Sequence, residues 1–305
     1  MLAAAPARVF AKIAGDLDAA LARRRRFGTP GSATGTSLAR GDGWDVDDVI
    51  CTSGPADRPF EERHTRVSIA IVVAGTFQYR AGSGRALMTP GSMLLGTLGQ
   101  CFTCGHEHAS GDRCIAFNFA PEFFVRVAAD AGAGGVTSGF SIPRLPPLRE
   151  SADVVSRASA ALVSGPGDFA WEEIAVRAAA SAARLASTRT TVPRPPNSKA
   201  VARVTDVVRA MERLSLADAR LDGLAKIAEL SPYHFLRTFE HVTGLTPHQY
   251  LRRARLREAA TRLATEESRV IDVVYDSGFG DVANFNRAFR AEFGVPPRAW
   301  RALTA

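Results

Sequence analysis

Apolar residues follow two different periods along this chain. Between about Gly43 and Phe124 they form short β-branched runs (VSIAIVVAG, TFQYRAG, SMLLGTLG and CIAFNFA) punctuated by Gly, Pro and Asp, a pattern that predicts an all-β barrel or sandwich. After Pro121 the runs stop. Two Ala-rich segments, around 150–163 and 169–187, then carry helical spacing with no strand between them, as suits an interdomain or dimer-forming helical pair. The stretch STRTTVPRPPNSK, Ser187 to Lys199, is too rich in proline and small polar residues to pack a core and reads as a linker. From Ala200 onward every segment has helical period. Ahead of the strands, Val9, Phe10, Ile13, Leu17 and Leu21 form one helical stripe, followed by the basic, Gly-rich and flexible stretch RRRRFGTPGSATG.

The fold class expected from this pattern is α+β and multidomain. The expected parts are an extension of disordered-terminus character over 1–34, an all-β barrel over 35–140, a helical dimerisation or interdomain segment over 141–187, a linker over 188–199 and an all-α domain over 200–305. A chain of 305 residues is long enough for two self-sufficient cores.

The all-α region contains an internal repeat. SPYHFLRTFEHVTGLTP from Ser231 aligns without gaps to DVANFNRAFRAEFGVPP from Asp281, so that Phe235, Arg237, Phe239, Gly244 and Pro247 recur as Phe285, Arg287, Phe289, Gly294 and Pro297. Each copy follows a short amphipathic segment, LDGLAKIAEL or RVIDVVYDSGF, which makes each half a helix, a tight turn and a helix. Ser231-Pro232, Thr246-Pro247 and Asp281 supply helix starts, and Gly244 and Gly294 supply stops. In each second helix the two Phe residues lie four apart and must be buried, which turns the opposite face to solvent. That face offers Tyr233, His234, Leu236 and Arg237 in the first copy and Val282, Ala283, Asn286, Arg287 and Arg290 in the second. Arg237 and Arg287 suit guanine edges, and the apolar members suit thymine methyls. The segment HQYLRRARLREAATRLAT between the copies makes a helix of roughly 27 Å. Such a spacer sets two recognition helices about one DNA turn, roughly 34 Å, apart. Its Arg252, Arg253, Arg255 and Arg257 read as a solvated or phosphate-facing surface.

Over about residues 200–303 the sequence resembles the AraC/XylS family of transcription regulators, through Gly278-Phe279, Phe285, Arg287, Phe289, Gly294 and Pro297. The resemblance implies a tandem helix-turn-helix domain bound to double-stranded DNA, with a cupin-like barrel and helices as its usual, more loosely matched, companion. Two residues depart from the family's pattern. Glu229 stands where Gly is frequent, which implies strain or a different geometry in the first turn, and Val274 stands where a small Ala is usual and needs room against Phe285.

Charge and cysteine chemistry refine the picture. The net charge of +7 rests almost wholly on arginine, since Lys12, Lys199 and Lys226 are the only lysines, and it favours an anionic partner. Three of the four cysteines crowd between Cys101 and Cys114, unlike the spread framework of a secreted disulfide protein. No apolar run reaches membrane-span length, and the N-terminal charges follow the apolar residues instead of preceding them, so a cytoplasmic protein with no membrane partner is expected.

Cys101, Cys104, His106, His108 and Cys114 place five soft or borderline ligands in one short segment, and His64 approaches it if the strands pair as in a cupin. Three readings stay open: a zinc or other thiophilic metal site or a reactive thiol sensor beside Arg113, small buried hydrophobes at strand ends, or contacts to a small organic effector. Strand alternation puts Cys114, Ala116 and Asn118 on one face, so Cys114 need not point into a cavity, and Cys51 reads as a core thiol.

The function expected is a non-enzymatic, sequence-specific transcriptional regulator. Its expected partners are a second copy in a homodimer, a small-molecule or metal effector, and RNA polymerase if it activates. The alternatives are a metal-dependent cupin-type enzyme with His64, His106 and His108 as ligands, or a thiol-based redox or metal sensor, fused to the same DNA-binding domain. Alkyl transfer to a zinc-bound thiolate ranks last, because histidine is interleaved with the cysteines.

Overall fold

A computed structural model describes residues 9–135, 139–165, 171–189, 195–213 and 220–304. Helix α1 (Val9–Phe27) is followed by nine strands: β1 (Ala33–Gly41), β2 (Trp44–Cys51), β3 (Phe60–Arg63), β4 (Val67–Gly75), β5 (Phe77–Ala81), β6 (Gly84–Met88), β7 (Met93–Gly96), β8 (Cys101–Gly105) and β9 (Asp112–Phe119). Helix α2 (Pro121–Asp130), a two-residue β10 (Arg144–Leu145) and helices α3 (Ala152–Ser164) and α4 (Trp171–Ser187) complete this part.

The strands form two antiparallel sheets, one in the order β1-β2-β9-β4-β7-β10 and one in the order β3-β8-β5-β6. They are separate hydrogen-bonded ladders facing each other across a cavity, an open form of the expected barrel or sandwich. Period-2 alternation sorts the six-stranded sheet. Val46, Ile69, Ile71, Ile115, Phe117 and Phe119 pack outward with α1, α2, α3 and α4 into the largest core. Cys51, Cys114, Ala116 and Asn118 face the cavity between the sheets.

Two expectations change here. The stretch expected to be flexible continues α1 through Phe27 and then forms edge strand β1, paired to β2 through the two-residue turn Asp42-Gly43, with Gly43 at φ 81°. Helix α1 is held in place: Ile13 and Leu17 are buried in the main core, and Arg24 pairs with Asp57 at 2.7 Å. The Ala-rich face of α4 is spent inside the chain, with Ala175, Ala178, Ala179, Ala182 and Ala183 buried in the same core.

The remaining helices are α5 (Ser198–Arg213), α6 (Leu221–Ile227), α7 (Pro232–Thr243), α8 (Pro247–Thr265), α9 (Val270–Asp276), α10 (Val282–Phe293) and α11 (Pro297–Thr304). They enclose two small cores, one around Phe235 and Phe239 and one around Phe285, Phe289 and Trp300. Among the described residues no helix is long and apolar enough to cross a membrane.

Helix α8 shows the third departure. Its arginines do not all face solvent: Arg252 is exposed, but Arg257 is buried and donates to the Pro90 carbonyl at 3.1 Å, and Arg253 donates to the Pro147 carbonyl at 2.6 Å. Main-chain carbonyls of the β-rich part receive these guanidinium groups, and α3 lies along α8. Arg157 of α3 sits over the Trp300 ring at 5.1 Å, a cation–π contact to the second core.

Candidate nucleic-acid interface

Each half of the tandem unit is built by local signals. In the first, the Ser231 hydroxyl accepts the His234 amide, Pro232 opens α7, and Gly244 closes it at φ 82°. In the second, Asp281 accepts the Asn284 amide at 2.7 Å and Gly294 closes α10 at φ 78°. Thr246 and Gln249 make a reciprocal capping box at the start of α8. The Phe pairs then fix the rotation of each helix, because Phe235, Phe239, Phe285 and Phe289 are all fully buried.

The turns before α7 and α10 differ by one residue. The Leu230 amide bonds to the Ala225 carbonyl and the Phe279 amide to the Val274 carbonyl, which makes Glu229 the counterpart of Gly278. Both residues are left-handed, Glu229 at φ 52° and Gly278 at φ 81°, and Glu229 is the only non-glycine with positive φ among the described residues. The strain implied by the sequence is therefore located at this backbone. Val274 is fully buried in the core that holds Phe285.

On the outward faces Tyr233, His234, Arg237, Ala283, Asn286, Arg287 and Arg290 are exposed, while Leu236 and Val282 are half-buried at the edges. Arg237 lies 6.0 Å from the Tyr233 ring centroid, so the two side chains share one patch. His234 differs from the others, since its Nδ1 lies 2.9 Å from the Ser231 hydroxyl and the ring belongs to the cap. The backs of both halves rest on the β-rich part. Arg144 donates to the carbonyls of Val242 and Thr243 at the end of α7, each at 3.2 Å, and α10 touches α3.

The cysteine and histidine segment is rearranged relative to its sequence. A C-x-x-C on an extended strand puts its two sulfurs on opposite faces, so Cys101 is exposed while Cys104 is buried toward the cavity. His108 is also outside, 3.3 Å from the Ser198 hydroxyl. His106 turns inward and meets Asp112 at 2.6 Å, and the Cys114 thiol donates to the same carboxylate at 3.3 Å. The third neighbour is Cys51, which has no sequence motif. It is the direct cross-strand partner of Asp112, and that register is the signal that sequence reading lacked. Among the described residues Cys51, His106 and Asp112 are the one group of three or more such side chains whose ligand atoms all lie within 4.8 Å of one another.

Cys114 points into the cavity after all. Arg113, next to it, faces the other way and is engaged by Asp48 and Asp16, at 2.8 and 2.7 Å. Burial, reinforced by the Asp112 charge, pushes the Cys104 and Cys114 thiols well above the usual range, the opposite of an activated nucleophile. His64 stands elsewhere on the cavity wall, bonded to the Tyr79 hydroxyl at 2.8 Å and stacked on Phe102 at 4.1 Å, and burial lowers its pKa to about 4. The His64, His106 and His108 ligand set of the enzyme alternative is thus not assembled.

Two helix-turn-helix units joined by one long helix define a tandem helix-turn-helix domain. Residues 224–303 match the family model described as a helix-turn-helix domain, the region that resembles the AraC/XylS regulators in sequence. The chain is similar to the HTH-type transcriptional activator RhaS of Enterobacter sp. (strain 638), with 34% identity over 100 residues that cover 33% of this chain and 36% of that protein. It is also similar to RhaS of Escherichia coli (strain SE11), with 40% identity over 77 residues, 25% of this chain and 28% of that protein. The match therefore spans about a third of these curated relatives. Among solved structures, the DNA-binding domain of AdpA in complex with a target DNA is 29% identical, with a TM-score of 0.32 over 33% of this chain and 91% of that one.

Proposed function

We propose that this chain is a sequence-specific DNA-binding transcriptional regulator whose β-rich part senses a signal. The observation that carries the reading is the pair of outward faces on α7 and α10. Two buried Phe stripes orient them alike and leave Arg237, Asn286, Arg287 and Arg290 exposed at corresponding places in the two halves. The naming of the RhaS relatives as transcriptional activators supports the same reading. Tyr233, Leu236, Arg237, Val282, Ala283, Asn286, Arg287 and Arg290 then contact the duplex, with the two arginines of the repeat reading guanine. Homodimerisation, a contact to RNA polymerase and a cytoplasmic location follow from the reading as further proposals.

The test is selection of bound fragments from a random duplex library, followed by affinity measured against salt. Affinity for the selected site falls steeply with salt, each phosphate contact adding about 0.9 to the log–log slope. Arg237→Ala and Arg287→Ala each cost about 1–3 kcal/mol at a guanine position. Selection of no common sequence, or full affinity in the doubly substituted protein, overturns the interface.

A further inference from the structure

We propose that Cys51, His106 and Asp112, with Cys114 beside them, form a site for a soft divalent cation such as zinc, in the wall of the inter-sheet cavity. The argument starts from the register. Cys51 on β2 faces Asp112 on β9 directly, and period-2 alternation puts Cys114 on the same face of the same strand. From the opposing sheet, alternation through Phe102 and Cys104 carries His106 inward to bond Asp112. Sulfur, imidazole and carboxylate donors thus converge from two sheets, with three ligand atoms within 4.8 Å of one another, and the Cys114 sulfur, outside that group, donates to the Asp112 carboxylate at 3.3 Å.

This donor set is the one that tetrahedral zinc takes, with thiolate near 2.3 Å, imidazole near 2.0–2.1 Å and carboxylate near 2.0–2.2 Å. Hard cations such as magnesium and calcium prefer all-oxygen sites. His106 gives a second, independent indication. Its ring is buried, and Nδ1 makes no hydrogen bond of ordinary geometry, the Cys51 thiol being the other group besides Asp112 that interacts with the ring. A path in exists, because Cys51, Cys104, Asp112 and Cys114 line a cavity of about 310 Å³ between the sheets. On binding, the His106–Asp112 hydrogen bond opens, the coordinating ring nitrogen of His106 and each coordinating thiol exchange a bond to hydrogen for a bond to the metal, and those protons leave to solvent.

The site is wired to the all-α region. His106 and Asp112 bracket the β8–β9 loop, and Arg209 of α5 donates to the carbonyls of Ser110 and Gly111 in that loop. Across the sheet, the amide of Gly75, the cross-strand partner of Asp112, donates to Glu212 of α5 at 2.8 Å. Occupancy that tightens the loop is therefore felt at α5, which walls the first helix-turn-helix core through Val201, Val204 and Val208. The inference deepens the regulator reading by naming its class of effector, but the site is tested without DNA, so failure of metal binding and failure of DNA binding are separately visible.

The experiment is titration of the chelator-treated full chain with Co²⁺ and Zn²⁺. The expected result is about one ion per chain, with sulfur-to-cobalt charge-transfer absorption that zinc displaces. Cys51→Ser and His106→Gln abolish the band, while the exposed Cys101→Ser retains it; unchanged far-UV circular dichroism of the metal-free variants shows that they are folded. Metal also slows hydrogen exchange in the loop and in α5, and Arg209→Ala confines the slowing to the loop. Absence of stoichiometric binding, or a band that survives Cys51→Ser, overturns the site. Exchange in α5 that is unmoved by bound metal overturns the coupling.

Discussion

Arg144 is the most exacting test of how the β-rich part holds the first recognition helix. Its guanidinium donates to the Leu87 carbonyl within its own part and to two carbonyls at the end of α7, where the helix leaves acceptors unsatisfied and its dipole favours a cation. A hydrogen bond from a charged donor contributes about 1.5–3 kcal/mol. The two long branches to α7 share one donor and count as a single bond, so the gross gain is about 3–6 kcal/mol. Against it stands desolvation, which lowers the Arg144 pKa from the usual guanidinium range to about 10 and takes back about 3 kcal/mol. The net of about 0–3 kcal/mol corresponds, at its centre, to roughly a tenfold change in an equilibrium constant. Arg144→Ala, and Arg144→Met with its stem retained, should therefore raise hydrogen exchange in the last turn of α7 and in β10 by about tenfold. Exchange in α10 should stay unchanged. Unchanged exchange in α7 and β10, or an equal rise throughout the chain, would refute the reasoning.

Glu229→Gly should raise stability by about 0.5–1 kcal/mol in urea unfolding, since a left-handed L-residue costs about 1–2 kcal/mol and glycine returns part of it as entropy; a loss of stability would show that the Glu229 side chain matters more than its backbone. Phe235→Ala and Phe285→Ala should each cost about 3–5 kcal/mol, and each should loosen mainly its own half because the two Phe residues sit in separate cores; exchange maps that spread equally over both halves would contradict this. The His64 pKa is depressed from 6.5 to about 4 by burial, so its neutral form is the one the fold holds. That contribution is complete above pH 6.5 and is lost as pH falls toward 4, about 3 kcal/mol at most. The melting-temperature difference between the wild type and His64→Gln should accordingly shrink between pH 7 and 4.5, and a constant difference would exclude His64 as the source.

The tandem unit was legible because its signals are local. Caps, a Phe spacing of four and the glycine stops act within one helix, and the Glu229 departure fell on a backbone that is left-handed in the structure. The cysteine segment stayed open for the opposite reason. Cys101 and Cys104 look adjacent in sequence, but on a strand their odd spacing divides them between solvent and cavity, while Cys51 joins the cluster through cross-strand pairing that no local pattern displays. Edge strand β1 did have a signal, Asp42-Gly43 at a hairpin turn, which the Gly-rich composition around it obscured. The arginines of α8 read as surface because charge ordinarily faces water, and nothing within that helix indicates the Pro90 and Pro147 carbonyls that receive Arg257 and Arg253.

The burial of α8 bears on how freely such a chain can be recombined. A chimera that grafts residues 200–304 onto an unrelated sensor would strip Leu251 and the Arg257 guanidinium of the cover that Val73, Ala74 and Pro90 give them and leave an apolar seam facing water. The seam would favour aggregation or non-native docking, so an engineered hybrid needs a resurfaced α8, whereas an exchange made entirely on the outward faces of α7 and α10 leaves the junction untouched.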